Sequence, residues 1–240
     1  QGRSGPVSHQ IVAKPASFVR DLVRMGLPNK PEWANWTAKM RRQQEEFAAL
    51  PTQDIHDGPA SMDAMMAHLV PTLPYDAMVT FGAGEHTNWV HRYFPTHHYG
   101  SLISARNGSM GYSIPSAVAA SLENPDKIVV TVAGDGEFLM NGQELATAAQ
   151  YGATPLVIVM DNQEYGTIRT HQERDYPGRV SGTQLKNPDF AAMADAFGGC
   201  GVRVTENSQI PAAIQSAYQA IETGKFALIH LIVEQRKQAY

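Results

Sequence analysis

Two apolar runs, each followed directly by polar residues, constrain the fold of this chain more than any other feature. The runs cover residues 128–133 and 155–160, and the polar residues after them are Gly134-Asp135-Gly136 and Asp161-Asn162. Unbroken runs of Val, Ile and Leu are typical of strands that are buried on both faces of a parallel sheet. One helix fits between the two strands. We therefore predict that both polar clusters lie at the carboxyl ends of neighbouring parallel strands, where open α/β sheets bind ligands.

The chain alternates between helices and strands on both sides of this unit. From residue 59 onward, helices are predicted over 61–69, 87–94, 112–122, 190–197 and 209–222, and strands over 76–81, 102–104, 201–205 and 226–233. Asn141 followed three residues later by Glu144 predicts a capping box at the start of the central helix. Residues 164–188 lack periodicity, which predicts a long lid or binding loop. Together these elements predict a doubly wound, mostly parallel α/β sheet with helices on both faces.

The first 58 residues do not follow this alternation. Residues 7–13 look like a strand and residues 16–25 like a helix, and two elements cannot form a domain, so we expect residues 1–27 to be the tail of a truncated domain. Residues 28–58 are expected to form a linker with one helix, for which Pro31 suits the first turn. An apolar stripe on that helix indicates core packing or docking against a partner; it contains Trp33, Trp36, Met40 and Phe47. Residues 59–240 are expected to form the ligand-binding domain.

Composition excludes several classes of function. The net charge is −4 and no block of basic residues occurs, so nothing favours nucleic acid or an anionic membrane surface as a partner. No apolar run approaches the roughly 18 residues that cross a bilayer, and we find no signal peptide. The single cysteine, Cys200, rules out an internal disulfide framework and suits a reducing compartment. We expect a cytoplasmic protein without membrane or nucleic-acid partners.

The two polar clusters combine oxygen ligands with an adaptable backbone. Carboxylate and carboxamide oxygens from Asp135 and Asn162, together with a backbone carbonyl, suit Mg²⁺, which prefers octahedral oxygen coordination. Gly134 and Gly136 let the backbone approach an anion closely and offer amide donors to it. A carboxylate repels a phosphate unless a cation lies between them. These residues therefore predict a magnesium–diphosphate site rather than a bare metal site.

The segment from Gly134 to Gly166 resembles the cofactor-binding motif of thiamine-diphosphate-dependent enzymes. That motif begins with Gly-Asp-Gly and ends with Asn about 27 residues after the Asp, and this chain has Asp161-Asn162 where the family usually has Asn-Asn. The resemblance implies that Mg²⁺ is held by Asp135, the Asn162 side chain and the Glu164 backbone carbonyl. It also implies diphosphate contacts from four residues, namely Gly136, Glu137, Tyr165 and Gly166.

Two further segments extend the resemblance to about residues 60–235, and acetolactate synthase and its relatives are the most similar members. In the turn at 107–111, the Gly108 carbonyl would accept a hydrogen bond from the aminopyrimidine ring. Met110 would support the bent cofactor, although ordinary core packing also explains a methionine here. Gly84-Glu85-His86 occupies the position of a Gly-Gln-His run near the diphosphate. His86 is expected beside the phosphates, whereas Glu85 adds negative charge there and either turns away or takes another role.

The resemblance implies that this chain holds half of an active site and that residues 1–27 end the family's central domain. In the family, a glutamate from a separate pyrimidine-binding domain activates the cofactor, and no glutamate here can be assigned that role. The chain is therefore expected to be inactive alone, to need that domain from the same or a second subunit, and to form a homodimer or homotetramer. The implied activity is that of a lyase or transferase, which decarboxylates or carboligates 2-oxo acids.

Arg169 and His171 begin the segment in which the family places an active-site helix and a mobile loop. An arginine there would bind the carboxylate of a 2-oxo acid. A solvated loop charge explains Arg169 at least as well.

Two alternatives remain open. A nicotinamide-dependent oxidoreductase on a Rossmann-like sheet would need G-x-G-x-x-G after the first strand, and Gly82-Ala83-Gly84 is not followed by the third glycine. A non-catalytic paralogue that binds the cofactor, or only a partner subunit, would show no turnover even in a complete enzyme.

Overall fold

The computed structural model describes residues 5–26, 32–52 and 57–234, and the chain divides into two compact units, residues 1–47 and 48–240. The described part of the first unit contains two helices, α1 (Pro15–Met25) and α2 (Ala34–Phe47), and neither buries a residue. Helix α1 confirms the helix predicted over 16–25. The strand predicted over 7–13 is wrong, because this segment pairs with no strand in the described part of the chain and leaves Val12 84% exposed.

The apolar stripe of the predicted linker helix is not part of a core. Trp33, Trp36 and Phe47 are each more than half exposed, and Met40 is partly buried. Packing into a core therefore does not explain the stripe, and docking against a partner stays a prediction. Pro31, predicted to suit the first turn, lies outside the described residues.

The second unit is built on one parallel sheet. Its strands are β1 (Met78–Phe81), β2 (Leu102–Ser104), β3 (Val129–Gly134), β4 (Leu156–Asp161), β5 (Cys200–Val204) and β6 (Ala227–Ile232). All six run parallel in the order β2-β1-β3-β4-β6-β5, which confirms the predicted sheet. Strands β3 and β4 pair directly, with Gly134 opposite Met160, so the two polar clusters end side by side. The strand order reverses between β1 and β3, and doubly wound sheets bind ligands beside such a switch point.

Helices cover both faces of this sheet. They are α3 (Met62–Leu69), α4 (Thr87–Tyr93), α5 (Ser113–Glu123), α6 (Asp135–Asn141), α7 (Leu145–Tyr151), α8 (Gly166–Asp175), α9 (Phe190–Ala196) and α10 (Ile210–Glu222). Successive side chains of β4 enter opposite clusters, Leu156 and Ile158 with α3 and α10, and Val157 and Val159 with α7 and α9. Burial of each such side chain stabilises the fold by about 1.5–3 kcal/mol. Among the described helices, none combines the length and the hydropathy that a bilayer crossing demands.

The helix between β3 and β4 begins earlier than predicted. It starts at Asp135, passes through one 3₁₀ turn (Gly142–Glu144) and continues as α7. The predicted capping box is wrong: Asn141 Nδ2 donates to the Gly111 carbonyl at 2.8 Å, and Glu144 accepts a hydrogen bond from Thr147 at 2.6 Å. The Asn141 side chain thus has a tertiary partner, which overrides the local capping pattern.

Part of the predicted loop over 164–188 is helical. Helix α8 occupies residues 166–175 and buries none of its side chains, so it has no apolar face that periodicity could reveal. Residues 176–188 contain no helix, and Gln184 forms only an isolated bridge with Glu164. The prediction of a long irregular segment therefore holds for the second half alone.

Candidate functional site

A cavity of about 230 Å³ opens where β1, β3 and β4 end. It is lined by all twelve residues that we predicted from the sequence to bind the cofactor or the metal: Glu85, His86, Gly108, Met110, Gly134, Asp135, Gly136, Glu137, Asn162, Glu164, Tyr165 and Gly166. They meet because parallel strands all end at the same edge of the sheet. The structure thus brings the selected residues together, while the roles assigned to them stay predictions.

Asp135 is a buried carboxylate at the first residue of α6, with 3% of its surface exposed. Its Oδ1 accepts the Gly136 amide at 2.8 Å, and its Oδ2 accepts the Gln163 amide at 2.8 Å and Asn187 Nδ2 at 2.7 Å. Burial raises the pKa of Asp135 to about 6, and the charge of Asp161 acts in the same direction. Within the described residues, no basic side chain forms an ion pair with Asp135. A buried carboxylate without a basic partner favours the binding of a cation.

A second buried carboxylate, Asp161, stands behind the first. Asn187 Nδ2 donates to both carboxylates, at 2.7 Å in each case. His230 Nε2 lies 2.8 Å from Asp161 Oδ2. Although burial acts to raise it, the hydrogen bonds from His230 and Asn187 hold the pKa of Asp161 below its usual value. The two neighbouring acids are therefore shifted in opposite directions.

Sequence reasoning missed Asn187 and His230. Asn187 lies at the end of the segment predicted as a loop, where no local pattern distinguishes it. His230 is one polar residue inside the apolar strand β6 and is only 2% exposed. A single histidine among the five apolar residues of this strand was the available signal for a buried polar partner.

The backbone between Asn162 and Glu164 is turned sharply. Gln163 has a φ of 58°, which is the left-handed region, and it is the one non-glycine residue with positive φ among those described. This turn directs its amide between the two carboxylates, 2.8 Å from Asp135 and 3.1 Å from Asp161. The Asn162 carboxamide oxygen accepts the Glu164 amide at 3.2 Å, and the Glu164 carbonyl accepts the Gly166 amide at 3.0 Å.

Glu137 and His86 form a second buried group that lines the cavity. Glu137 Oε1 accepts the amides of Gly111 at 3.2 Å and Ser113 at 3.4 Å. Its Oε2 lies 2.9 Å from His86 Nε2, an ion-pair distance without hydrogen-bond alignment. A Cβ at Gly82 would collide with this carboxylate. The Glu137 carboxylate is thus used inside the protein, so only its backbone is suited to contact a diphosphate.

Glu85 lines the cavity and does not turn away from it. Its Oε1 accepts the Thr170 hydroxyl of α8 at 3.1 Å. A Cβ at Gly166 would lie 2.5 Å from Glu85 Oε2, so the glycine allows this approach. Met110 is 37% exposed and borders the cavity, which excludes the ordinary core packing that we had left open. Gly108, with a φ of 66°, makes the turn beside it.

Arg169 and His171 both belong to α8. Arg169 Nε lies 2.9 Å from Glu173 and its Nη1 lies 2.6 Å from Glu164. These two hydrogen bonds raise the pKa of Arg169. The guanidinium is therefore already engaged by two carboxylates of its own chain. His171 is exposed, with Nδ1 2.9 Å from an Arg174 nitrogen, and its role stays open.

The donor set fits Mg²⁺ with a diphosphate. It consists of the Asp135 carboxylate, the Asn162 carboxamide and the Glu164 carbonyl, which are oxygen donors of the kind that Mg²⁺ prefers, and Mg²⁺ commonly completes its shell with phosphate oxygens and water. Among the described residues, no group of three or more His, Cys, Asp or Glu side chains is arranged to hold a metal ion. The cavity therefore suits a hard cation that arrives together with an anionic cofactor.

Known proteins resemble this chain in the same region. Residues 82–231, which contain every cavity residue, match the family described as thiamine pyrophosphate enzyme, C-terminal TPP binding domain. The chain is 36% identical over 159 residues to the mitochondrial acetolactate synthase catalytic subunit of Aspergillus candidus, covering 66% of this chain and 22% of that protein. It is 32% identical over 194 residues to the acetolactate synthase large subunit of Parasynechococcus marenigrum, covering 80% and 31%. It is 29% identical over 214 residues to the acetolactate synthase isozyme 2 large subunit of Escherichia coli, and the match covers 88% of this chain and 38% of that protein. The chain thus spans between 22% and 38% of the length of these relatives.

Proposed function

Since the chain belongs to the thiamine pyrophosphate enzyme family and carries its C-terminal TPP-binding domain, we propose that it binds thiamine diphosphate through Mg²⁺ in the cavity at the strand ends. The observation that carries this proposal is Asp135, a buried carboxylate with a raised pKa beside neutral oxygen donors. In the proposed organisation, residues 59–240 form the binding domain, residues 28–58 a linker and residues 1–27 the end of a central domain.

Each part of the cavity would perform one task. Asp135, Asn162 and the Glu164 carbonyl would hold the cation, and the glycines at 136 and 166, which line the cavity without side chains, would let the diphosphate approach the backbone closely. His86 would face the phosphates, with the Glu137 carboxylate at ion-pair distance from its Nε2. Gly108 and Met110 would orient the ring portion of the cofactor. When bound, the cofactor supplies the electron sink that cleavage beside the carbonyl of a 2-oxo acid requires.

The chain is proposed to supply half of an active site. The three cavity glutamates are committed elsewhere: Glu137 to backbone amides, Glu164 to Arg169 and Glu85 to Thr170. An activating glutamate would then come from a pyrimidine-binding domain of the same or a second subunit, in a homo-oligomer. The relatives are named as acetolactate synthases, which supports decarboxylation and carboligation of 2-oxo acids as the reaction.

Calorimetric titration of thiamine diphosphate tests this proposal. We expect binding in the presence of Mg²⁺, its loss in EDTA and its loss in Asp135→Ala. Asp175→Ala is the matched control, because Asp175 is exposed and pairs with Arg174 on α8. Binding that is equally strong in EDTA, or that persists in Asp135→Ala, would contradict the assignment. Turnover of 2-oxo acids by the complete enzyme would separate this function from that of a non-catalytic paralogue.

A further inference from the structure

We propose that Asn187, together with Asp161 and His230 behind it, is a positioning network that holds the Asp135 carboxylate in one orientation and leaves its Oδ1 as the oxygen for the cation. This inference rests on the proposed magnesium–diphosphate function. None of the three residues borders the cavity, so each would act through Asp135 rather than on a ligand.

The hydrogen bonds of Asp135 leave one oxygen available. A carboxylate oxygen accepts about two hydrogen bonds. Oδ2 already receives the Gln163 amide and Asn187 Nδ2, whereas Oδ1 receives only the amide of Gly136. A cation in the cavity would therefore bind Asp135 through Oδ1 alone.

Asn187 donates both hydrogens of its carboxamide nitrogen to the carboxylates of Asp135 and Asp161. Its Nδ2 lies 2.7 Å from Asp135 Oδ2 and 2.7 Å from Asp161 Oδ1, so it offsets the repulsion between neighbouring carboxylates. Its own Oδ1 is buried without a hydrogen-bond partner. A buried polar atom left unpaired costs about 1–3 kcal/mol. The protein accepts this cost because the orientation directs both N–H groups of Asn187 to the carboxylates of Asp135 and Asp161.

His230 holds the second acid from the neighbouring strand. An ionised carboxylate only accepts hydrogen bonds, so His230 Nε2 donates to Asp161 Oδ2. On the other side of the ring, Nδ1 receives the Phe190 amide at 3.2 Å, while Asp189 lies further away at 3.4 Å. The Phe190 ring packs edge-on against the imidazole, with the two ring centroids 4.8 Å apart. These contacts fix the orientation of the imidazole, which holds Asp161 and thereby positions Asn187.

Mn²⁺ binding measures the effect of this network on the cation directly. The probe is Mn²⁺ in place of Mg²⁺, titrated into the 240-residue chain with thiamine diphosphate and followed by the electron paramagnetic resonance of the free ion. Outer partners of metal ligands typically contribute about 10–100-fold to metal affinity. We expect a loss in that range for Asn187→Asp, which is isosteric but donates nothing, and a loss of about tenfold for His230→Leu. His230→Gln, which keeps a donor near the Nε2 position, should restore most of the affinity.

One control and one further variant make the outcome decisive. Asn124→Asp removes a carboxamide that bonds Ala120 at the end of α5, and it should leave Mn²⁺ affinity unchanged. If Asn187→Asp does not fold, Asn187→Leu, which adds no third carboxylate, gives the answer. Mn²⁺ affinity within twofold of the unsubstituted chain in the Asn187 variants would overturn this inference and leave the proposed function intact. No binding by the unsubstituted chain, nor by the enzyme completed by its pyrimidine-binding domain, would overturn the proposed function and the inference with it.

Discussion

The inner and outer walls of the cavity are held in different ways. The inner wall is formed by Asp135, Glu137 and Asn162 beyond the ends of β3 and β4 and is at most 7% exposed. Its two carboxylates accept hydrogen bonds from the amides of Gly111, Ser113, Gly136 and Gln163 and from the Asn187 side chain. The outer wall is formed by Glu85 and helix α8. No residue of this helix is buried, and Thr170 connects it to Glu85 through a partly exposed hydrogen bond. Under the proposed function, the inner wall would hold the cation and diphosphate and the outer wall would adjust to substrate, which is a division of labour between them.

The rigidity of the inner wall predicts a large effect for Gly82→Ala. The added Cβ would collide with the Glu137 carboxylate, which then loses its amide donors while remaining buried. Displacing one partner of a buried charged group costs about 3 kcal/mol, and we expect that loss in the free energy of unfolding by urea. Gly5→Ala is the control, because nothing lies within 4 Å of that position. A fall of less than about 1 kcal/mol in the free energy of unfolding would show that the Glu137 side chain moves aside at little cost.

The same wall predicts that cofactor stabilisation depends on pH. The pKa of Asp135 is raised from 3.8 to about 6, so without a cation the folded state loses stability relative to the unfolded state as pH rises through this interval. Magnesium and thiamine diphosphate should remove that penalty. Their stabilising effect should grow between pH 5 and pH 7 by about 1.4 kcal/mol, because the ionised fraction of a carboxyl with a pKa of about 6 rises about tenfold over that interval. Asp161, whose pKa is lowered, loses its contribution only at lower pH.

Thermal unfolding with and without the two ligands, at each pH in this window, measures the difference. Asp135→Asn, which cannot titrate, should flatten the profile. An identical slope in that variant would assign the pH dependence to another group.

The contrast between the walls also explains what sequence alone predicted. Strands β3 and β4 were recognised because burial on both faces demands unbroken apolar runs, and the polar residues after them follow from the sheet edge. The twelve cavity residues came from those strand ends and from the family resemblance. Periodicity missed helix α8, because a helix without a buried face carries no periodic signal, and only the family resemblance placed a helix in this segment. Asn187 was missed because its partners lie 52 and 26 residues away in the chain, at Asp135 and Asp161.

On the outer wall, Glu85→Gln should strengthen cofactor binding modestly. Glu85 adds negative charge to a cavity proposed to hold a diphosphate, and it is only partly buried. Interactions between partly exposed charges are worth about 0.2–1 kcal/mol, so we expect an affinity for thiamine diphosphate about two- to fivefold higher. The gain should shrink at high salt. Glu173→Gln, on helix α8 but outside the cavity lining, is the control. Weaker binding in Glu85→Gln would indicate that this carboxylate supports the cofactor.

The smallest effect on substrate binding is expected for Arg169→Gln. The Arg169 side chain is 31% exposed, and its partners Glu164 and Glu173 belong to the same segment of chain. Exposed ion pairs contribute about 0.2–1 kcal/mol, but the Glu164 side chain is only 5% exposed and would lose its cationic partner. The free energy of unfolding should therefore fall by more than for Arg41→Gln, whose partner Glu45 is exposed. Because the guanidinium is already engaged, the KM for 2-oxo acids in the enzyme completed by its pyrimidine-binding domain should change by less than about twofold, which corresponds to roughly 0.4 kcal/mol. A tenfold rise in KM with unchanged cofactor affinity would instead identify Arg169 as the substrate-carboxylate ligand. The outer wall would then be as specifically built as the inner one, and the division of labour between them would fail.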